Sequence, residues 1–448
     1  MGTEGTGGSV AAQKVRIWAA VAAGIVAVLA AVAALAFPRL LGQTGESTTA
    51  PPASPSQSPT DGVTPGTAPA SPSGSPSATA TATTAGAPAP SSAPGSAAPA
   101  SRAATLLASM SLEQRAGQVM MVGSPVAGPD AAVRDAVGRL HVGNVFLKGR
   151  TTAGANAVAG VVAALKGEAV RGSGGAAPFV ATDQEGGQVQ ILRGPGFSEM
   201  PTALAQGSMD AGALRASAAA WGRELAAAGV NVNLAPVMDT VPSAAFAPQN
   251  APIGRFQREF GYSPQTVSAH GIAFAHGMAD AGVAAVPKHF PGLGRVTANT
   301  DTAAGVADGT TGRHDPYVAP FADAVRAGVQ WMMISNARYP AIDPENDAVF
   351  SPTVIGGMLR GDLGFRGIVV SDDVCDAVQL SSTAPEQRGV GFLAAGGTMV
   401  LCTNAQTAPR LWQGMVDRAR SDPAFARTLN AAALAVLEAK DRAGLLPR

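Results

Sequence analysis

The chain has 448 residues, of which 46% are hydrophobic, so it is long enough to bury a large core. Lys plus Arg and Asp plus Glu are equal at 31 each, which gives neither a basic surface for nucleic acid nor an acidic tail. Only Cys375 and Cys402 are present, which excludes a disulfide-rich scaffold and a multi-cysteine metal site.

An uncharged segment rich in alanine and valine, residues 17–37, follows Lys14 and Arg16. About 20 apolar residues suit a membrane-spanning helix, whereas Ala34-Leu35-Ala36 resembles the cleavage site of a signal peptide. Both interpretations stay open, and the length of the segment favours an uncleaved anchor. The positive charges before it predict a cytoplasmic stretch 1–16 and place the remainder outside the cytoplasm, facing the cell wall.

Residues 38–102 are predicted to be a disordered linker. From Gly42 to Ser101 the sequence consists almost wholly of Pro, Ala, Ser, Thr and Gly, and it contains no aromatic residue. Such a segment has too little apolar surface to offset the entropy of ordering it. We expect it to act as a spacer before the folded domain.

The folded domain is predicted to span residues 103–448 and to begin with a capped helix at Ser111. Eight short apolar runs follow: 117–123, 142–147, 179–182, 230–237, 283–287, 329–334, 367–370 and 398–401. Stretches with helical spacing come after them: 131–140, 155–170, 211–228, 264–281, 318–327, 352–363, 385–395 and 410–420, with a closing helix at 424–445. Eight alternations of strand and helix predict an α/β fold of the (β/α)8 TIM-barrel type.

Polar side chains follow five successive predicted strands at the end where each strand stops. They are Asp183 and Glu185, Asp239, Lys288 with His289, Asn299 and Asp301, Asn336 with Arg338, and Asp372 with Asp373. Scattered surface polarity would populate both ends of the strands equally. The pattern therefore predicts a catalytic edge at the carboxyl ends of the strands.

Carboxylates dominate this edge, and paired carboxylates are the apparatus of glycoside hydrolysis. The same groups could hold a divalent cation. Lys288 and His289 stand directly beside the acids, which argues against a metal cage and for hydrogen bonds to sugar hydroxyls. We therefore expect no metal and no cofactor. Neither a phosphate-binding Gly-x-x-x-x-Gly-Lys loop nor a serine nucleophile elbow stands out.

Four motifs resemble glycoside hydrolase family 3, and specifically its single-domain bacterial β-N-acetylglucosaminidases. They are Asp183-Gln-Glu-Gly-Gly187, Leu234-Ala-Pro-Val-Met-Asp239, Lys288-His-Phe-Pro-Gly292 and Ser371-Asp-Asp373. The resemblance implies a retaining mechanism in which Asp372 is the nucleophile. It also implies that Asp183, Arg258, Lys288 and His289 hold the sugar.

The sequence departs from the family pattern at the proton donor. Leu293 stands where the family has a histidine after Lys-His-Phe-Pro-Gly, and Asn299-Thr300-Asp301 stands where it has Asp-Ser-His. Asp301 is our candidate for the acid/base, with His314 from the same loop, or a weak or altered catalyst, as alternatives. The sugar-binding arginine expected near Ile191 is absent, and Arg193, two residues further on, could replace it.

Several other polar residues have structural interpretations. We expect Asp373 to cap or orient its loop and Glu185 to be a partner within its turn. His141, His270 and His276 fall on predicted strand or helix positions and are expected to be packing residues. Cys375 and Cys402 lie on neighbouring strands, and whether they form a disulfide depends on a Cα separation that the sequence does not give.

The predicted function is retaining hydrolysis of terminal β-linked N-acetylglucosamine from cell-wall glycans or muropeptides. The protein is expected to be a monomer that binds a carbohydrate substrate. It is expected to contact the membrane only through its N-terminal segment and to bind no nucleic acid. One alternative is a β-glucosidase of the same family, although those enzymes usually carry the acid on a second domain. The other is a non-catalytic module that binds wall sugars and has lost its acid/base.

Overall fold

The computed structural model describes residues 101–447 of the chain. The predicted cytoplasmic stretch, the apolar segment 17–37 and all but the last two residues of the predicted linker lie outside this range. Between residues 101 and 447, no helix combines the length and hydropathy needed to cross a membrane. The first helix begins slightly before the predicted boundary at 103, because the hydroxyl of Ser101 caps it by accepting from the N–H of Ala104.

The strands and their connections follow the predicted alternation, and each of the eight predicted apolar runs overlaps a strand. The strands are β1 Met120–Pro125, β2 Asn144–Lys148, β3 Val180–Thr182, β4 Gln184–Gly186, β5 Val189–Gln190, β6 Val232–Asn233, β7 Ala284–Ala285, β8 Trp331–Ile334, β9 Arg338–Tyr339, β10 Asp343–Asp347, β11 Ile368–Ser371 and β12 Val400–Cys402. Strands β4 with β5 and β9 with β10 form antiparallel hairpins beyond the parallel strands.

Two helices precede β1, two follow β12, and the others lie between the strands. The helices are α1 Arg102–Ser109, α2 Leu112–Gln118, α3 Ala131–Gly138, α4 Ala155–Gly172, α5 Ala203–Gln206, α6 Ala211–Ala227, α7 Pro264–Asp280, α8 Ala319–Arg326, α9 Pro385–Ala394, α10 Ala408–Ser421 and α11 Pro423–Arg442. The predicted capping box at the start of α2 is confirmed: Ser111 and Gln114 each bind the other's backbone N–H.

The predicted helix at 352–363 is present as a π-helix over Thr353–Asp362. The hydroxyl of Ser351, two residues before this helix, accepts from the N–H of Val354 at 3.0 Å and so binds a donor of its first turn. The spacing of apolar residues cannot distinguish the wider π hydrogen-bonding pattern from an α-helix, since both bury one face.

Six parallel strands form one curled sheet in the order β12-β1-β2-β3-β6-β7, and β8 pairs with β11 in parallel. Single parallel bridges join the two groups, between Phe290 and Ile334 on one side and between Val370 and Met399 on the other. The fold is thus an α/β fold with a curled parallel sheet. The carboxyl ends of its strands share one edge, where the predicted polar residues lie.

The opposite end of the sheet is closed by the C-terminal helix α11. The ammonium of Lys440 is fully buried there and donates to Gln118 Oε1 at 2.8 Å and to the Gly143 carbonyl at 3.0 Å. Burial lowers the pKa of Lys440 to about 7, because no carboxylate accompanies it. The two neutral acceptors therefore hold this amine inside the core.

Candidate active site

A cavity of about 310 Å³ opens at the carboxyl ends of the parallel strands. Its walls combine the predicted polar residues with a few apolar side chains. The lining residues are Phe146, Asp183, Leu234, Pro252, Arg258, Lys288, His289, Leu293, Asn299, Thr300, Asp301, Met333, Asp372, Asp373, Asp376, Ala377, Leu401 and Thr403. Six of the seven residues predicted for catalysis or sugar binding therefore meet in one cavity.

One wall is built on a network of two cations and two carboxylates. Lys288 Nζ lies 2.7 Å from Asp183 Oδ1 and 2.6 Å from Glu185 Oε1. Arg258 binds both oxygens of Glu185 at 2.8 Å and donates to the Pro252 carbonyl at 2.8 Å. Each cation is thereby fixed in place while it still faces the cavity.

Charge pairing outweighs burial within this network. Burial opposes ionisation of Glu185, but Arg258 and Lys288 lower the pKa of that carboxyl to about 2. Burial likewise opposes the charge on Lys288, and the carboxylates of Asp183 and Glu185 raise the lysine pKa nonetheless. Glu185 is thus a structural partner, but of two cations from distant loops and not within its own turn as the sequence indicated.

His289 is oriented by a carboxylate behind it. Its Nδ1 lies 2.7 Å from Asp239 Oδ2, and the other oxygen of Asp239 accepts from the N–H groups of His289 and Leu293. Asp239 is fully buried, so it orients the residues that follow β7 without reaching the cavity itself. With Nδ1 engaged, Nε2 is the ring nitrogen that remains for a ligand.

Asp372 follows β11 directly and lines the opposite wall. Its backbone N–H donates to the Ile334 carbonyl at 2.9 Å, and its Oδ1 accepts from the N–H of Asp373 at 2.8 Å. Burial, together with the nearby carboxylate of Asp301, raises the pKa of Asp372 to about 6 against the opposing effect of His289. A carboxyl with these properties suits a nucleophile that reacts near mildly acidic pH.

Asp373 also lines the cavity, but both of its carboxylate oxygens already accept hydrogen bonds from the protein. They accept from the N–H groups of Cys375, Asp376 and Thr403 at 2.9–3.0 Å and from the Thr403 hydroxyl at 2.6 Å. These contacts join the loop after β11 to the loop after β12. The expectation that Asp373 orients its loop agrees with this geometry.

Asp301 reaches the cavity from the loop after β7. Its backbone N–H donates to Asn299 Oδ1 at 3.0 Å, while the Thr300 and Asp301 carbonyls accept from Gln379 and Val378. The side chain is accessible from the open cavity, yet the surrounding walls partly desolvate it. Burial raises the pKa of Asp301 against the opposing charges of His289 and Arg258, and Asp373 adds to the rise.

Two residues named by the sequence do not line the cavity. Arg193 donates to the Gly187 carbonyl at 2.6 Å and pairs with Glu199, so its guanidinium serves the β4–β5 hairpin. This geometry gives no support to Arg193 as a sugar ligand. His314 is exposed on the protein surface near Asp362 and does not line the cavity, so the geometry gives the alternative proton donor no support.

The predicted packing histidines lie away from the cavity. The His270 ring contacts the carbonyls of Thr266 and Met209, and His276 contacts that of Ala327. His141 is half-buried in the segment between α3 and β2. Within residues 101–447, no group of three or more His, Cys, Asp or Glu side chains is arranged to hold a metal ion.

The sequence analysis missed two residues that line the cavity. Thr403 directly follows β12, the eighth parallel strand, and Asp376 lies five residues after β11, the seventh. A polar residue after the eighth strand was the available signal for Thr403. The structure also decides the cysteine question, since Cys375 and Cys402 form a disulfide with a Cα separation of 5.0 Å.

Comparisons with known proteins agree with the motifs. The family model of the glycosyl hydrolase family 3 N-terminal domain matches residues 111–437. The chain is 34% identical over 320 residues to a β-hexosaminidase of Stenotrophomonas maltophilia (strain R551-3), covering 69% of this chain and 91% of that relative.

Solved structures show the same relationship. A β-N-acetylhexosaminidase from Beutenbergia cavernae DSM 12333 superposes with a TM-score of 0.74 at 49% identity, over 75% of this chain and 99% of that one. A family 3 β-N-acetylglucosaminidase from Paenibacillus sp. str. FPU-7 gives a TM-score of 0.66 at 26% identity, over 76% of this chain and 64% of that one. The chain belongs to glycoside hydrolase family 3.

Proposed function

We propose that this protein is a β-N-acetylhexosaminidase that removes terminal β-linked N-acetylglucosamine with retention of configuration. The observation that carries the proposal is the position of Asp372. It follows β11 and lines the same cavity as the Lys288–Asp183 pair. The similarity to β-hexosaminidases supports the choice of sugar.

The sugar-binding wall acts through fixed hydrogen-bonding groups. Asp183, Arg258, Lys288 and the free Nε2 of His289 face the cavity, and each is held by a partner that does not depend on the ligand. Groups that are already oriented lose little entropy when they bind a hydroxyl. We assign these four residues to the sugar and do not assign Arg193.

The reaction proceeds in two displacements. In the first, an oxygen of Asp372 attacks the anomeric carbon, the glycosidic bond breaks, and Asp301 gives its proton to the departing oxygen. In the second, Asp301 takes a proton from water, whose oxygen attacks the same carbon and releases Asp372. The proton taken from water restores Asp301, so the cycle closes without a cofactor.

The titrations of the two carboxyls are linked. The charge of Asp301 is one cause of the raised pKa of Asp372, so protonation of Asp301 favours ionisation of Asp372. Because the pair titrates as a unit, the reactive form, with the proton on Asp301 and the charge on Asp372, is one of two singly protonated forms. The support for Asp301 as the acid/base is its place in the same cavity as Asp372.

We infer that the eight parallel strands close into a (β/α)8 barrel. The support is the pair of single bridges that join β8 and β11 to the six-stranded sheet. In such a barrel the carboxyl ends of the strands form a single ring, as the lining of the cavity requires.

We further propose that the enzyme acts outside the cytoplasm as a monomer, anchored or secreted through residues 17–37, on cell-wall glycans or muropeptides. Residues 1–16 would stay in the cytoplasm, 38–102 would act as a spacer, and 103–448 would be the catalytic domain. The support is the apolar segment after Lys14 and Arg16 and the Cys375–Cys402 disulfide, since disulfides persist in oxidising compartments.

A screen of nitrophenyl β-glycosides that differ only at the 2-position tests the proposal. The 2-acetamido substrate should turn over fastest, and a glycosyl-enzyme on Asp372 should be detectable by mass spectrometry. Preference for the glucoside would instead indicate a β-glucosidase. The absence of turnover on every such substrate would indicate a sugar-binding module, because nitrophenol departs with little help from an acid.

A further inference from the structure

The mouth of the catalytic cavity carries two carboxylates that differ from those deeper inside. Asp301 and Asp376, here called the mouth carboxylates, are both exposed, whereas Asp183 and Asp372 are half-buried. Asp183 is paired with Lys288, and Asp372 is assigned to the chemistry. The mouth carboxylates are therefore the acidic groups available to contact the leaving group of the substrate.

Asp376 has capacity left for a ligand. Its Oδ1 accepts from Asn404 Nδ2 at 2.8 Å, while its Oδ2 lies 3.9 Å from Lys148 Nζ, which is beyond hydrogen-bonding distance. Lys148 instead donates to the Thr403 carbonyl at 2.8 Å and is not among the residues that line the cavity. The side chain of Asp376 is 48% exposed.

The two mouth carboxylates are held on loops that bind each other. The N–H groups of Val378 and Gln379 donate to the carbonyls of Asp301 and Thr300, and the N–H of Asp376 is anchored on Asp373. A sugar cleaved by Asp372 sits deeper, against Lys288 and Arg258. Its leaving group must then project outward, between Asp301 and Asp376.

We propose that Asp376 is a binding residue for the leaving-group sugar and that it favours leaving groups that carry an ammonium, such as 2-amino-2-deoxy sugars, over those that carry a carboxylate. This inference rests on the proposed function and narrows its substrate class to partly de-N-acetylated glycans. The free oxygen of Asp376 would accept from the ammonium. A carboxylate in the same place would meet like charge from Asp376.

The test compares three disaccharides that share a terminal β-linked N-acetylglucosamine. The second sugar is glucosamine, N-acetylglucosamine or N-acetylmuramic acid, and kcat/KM is measured at mildly acidic pH and low ionic strength. We expect the amine to exceed the acetamide by about three- to fivefold, as for a partly exposed ion pair. The carboxylate should fall below the acetamide.

The decisive variant is Asp376→Asn, judged by the amine-to-acetamide ratio within that variant so that any general loss of activity cancels. We expect this ratio to fall to about one. The matched control is Asp417→Asn, an exposed carboxylate on α10 outside the cavity, which should leave the ratio unchanged. A wild-type ratio of one, or a ratio retained in Asp376→Asn, would overturn the proposal.

Two further measurements keep the result interpretable. If Asp376→Asn does not fold, the wild-type ratio should shrink as ionic strength rises, because salt screens exposed charges; a ratio independent of salt rejects the proposal. If kcat/KM is higher for nitrophenyl β-glucosaminide than for its N-acetyl counterpart, the ammonium is recognised on the cleaved sugar, and the assignment of Asp376 to the leaving group is wrong. Failure of the wild type on nitrophenyl N-acetylglucosaminide would contradict the proposed function itself.

Discussion

The ammonium of Lys288 and the carboxylate of Asp183 form a 2.7 Å ion pair on the wall of the catalytic cavity. The lysine side chain is 3% exposed and the aspartate 24%, so the pair presents chiefly its carboxylate to the opening. Lys288 also contacts Glu185, which makes it the centre of the charged network that we propose to bind the sugar.

Lys288→Ala should lower kcat/KM by about 10- to 150-fold, since a buried sugar hydroxyl that loses its donor costs about 1–3 kcal/mol. Steady-state kinetics on the nitrophenyl substrate would measure this. Lys166→Ala, on α4 outside the cavity, is the matched control and should behave as the wild type. An unchanged kcat/KM in Lys288→Ala would mean that the lysine only closes a structural ion pair.

Asp372→Asn should reduce turnover by several orders of magnitude and leave the fold intact, because an amide does not form the glycosyl ester. Turnover and circular dichroism together measure both parts. Retention of more than roughly a tenth of the wild-type rate would remove Asp372 from the mechanism.

Asp373→Asn makes the same chemical change one residue later, and its main effect should be on the stability of the protein. One oxygen of Asp373 would become an NH₂ group facing the donors of Asp376 or Thr403. We expect the free energy of unfolding to fall by about 1–3 kcal/mol, as measured by urea denaturation. Unchanged stability would contradict the role of Asp373 in joining the two loops.

The Asp301–Asp372 pair should give a bell-shaped pH profile, because the reaction needs one proton on the pair. Activity should fall as pH rises through the upper apparent pKa of the pair, where Asp301 can no longer donate a proton. Activity should also fall at low pH, where both carboxyls are protonated. The expected profile is a bell with an acidic optimum, and ionised Asp301 should repel phosphate, so that hydrolysis exceeds phosphorolysis.

The variant Asp301→Ala should harm substrates with sugar leaving groups far more than nitrophenyl substrates, whose departure needs little protonation. The ratio of the two kcat/KM losses is the measurement. Equal losses, or phosphorolysis faster than hydrolysis in the wild type, would reject Asp301 as the acid.

Glu259 directly follows Arg258 and is a buried acid that opposes folding above mildly acidic pH. No cation within residues 101–447 accompanies it, and burial raises its pKa from 4.5 to about 6 against the opposing effect of hydrogen bonds from its own backbone and from Tyr262. Below pH 4.5 the carboxyl is neutral in both states; as pH rises towards 6, the unfolded state ionises first and stability falls.

Glu259→Gln should therefore stabilise the protein on the order of 1–2 kcal/mol near pH 7.5 and have little effect near pH 4. Urea denaturation at the two pH values measures the difference. A stabilisation that is equal at both would show that ionisation of Glu259 is not its cause.

The sequence predicted the parallel strands well because each combines a buried apolar run with a following amphipathic helix. It also predicted most of the cavity, since residues directly after parallel strands share one edge. The β4–β5 hairpin was not predicted, and with it the placement of Arg193. Spacing along the chain cannot show that this arginine turns back to Gly187 and Glu199.

Other features depend on contacts between distant segments. Asp376 reaches the cavity because Asp373 binds its N–H and turns the loop, which no local pattern indicates. The pairing of Cys375 with Cys402 depends on the loop after β11 approaching the end of strand β12. The burial of Glu259 depends on the direction of one side chain in a loop, where neither helical nor strand periodicity applies.

The contacts of Asp373, the disulfide and the bonds from Val378 and Gln379 have a consequence for how the enzyme meets its substrate. They join the loops that carry Asp301, Asp372 and Thr403 into one rigid unit. Proton donor and nucleophile should then keep their spacing when a glycan enters, so little reorganisation accompanies the reaction. Differences in rate among substrates should accordingly reflect how well each glycan fits the cavity as these loops already shape it.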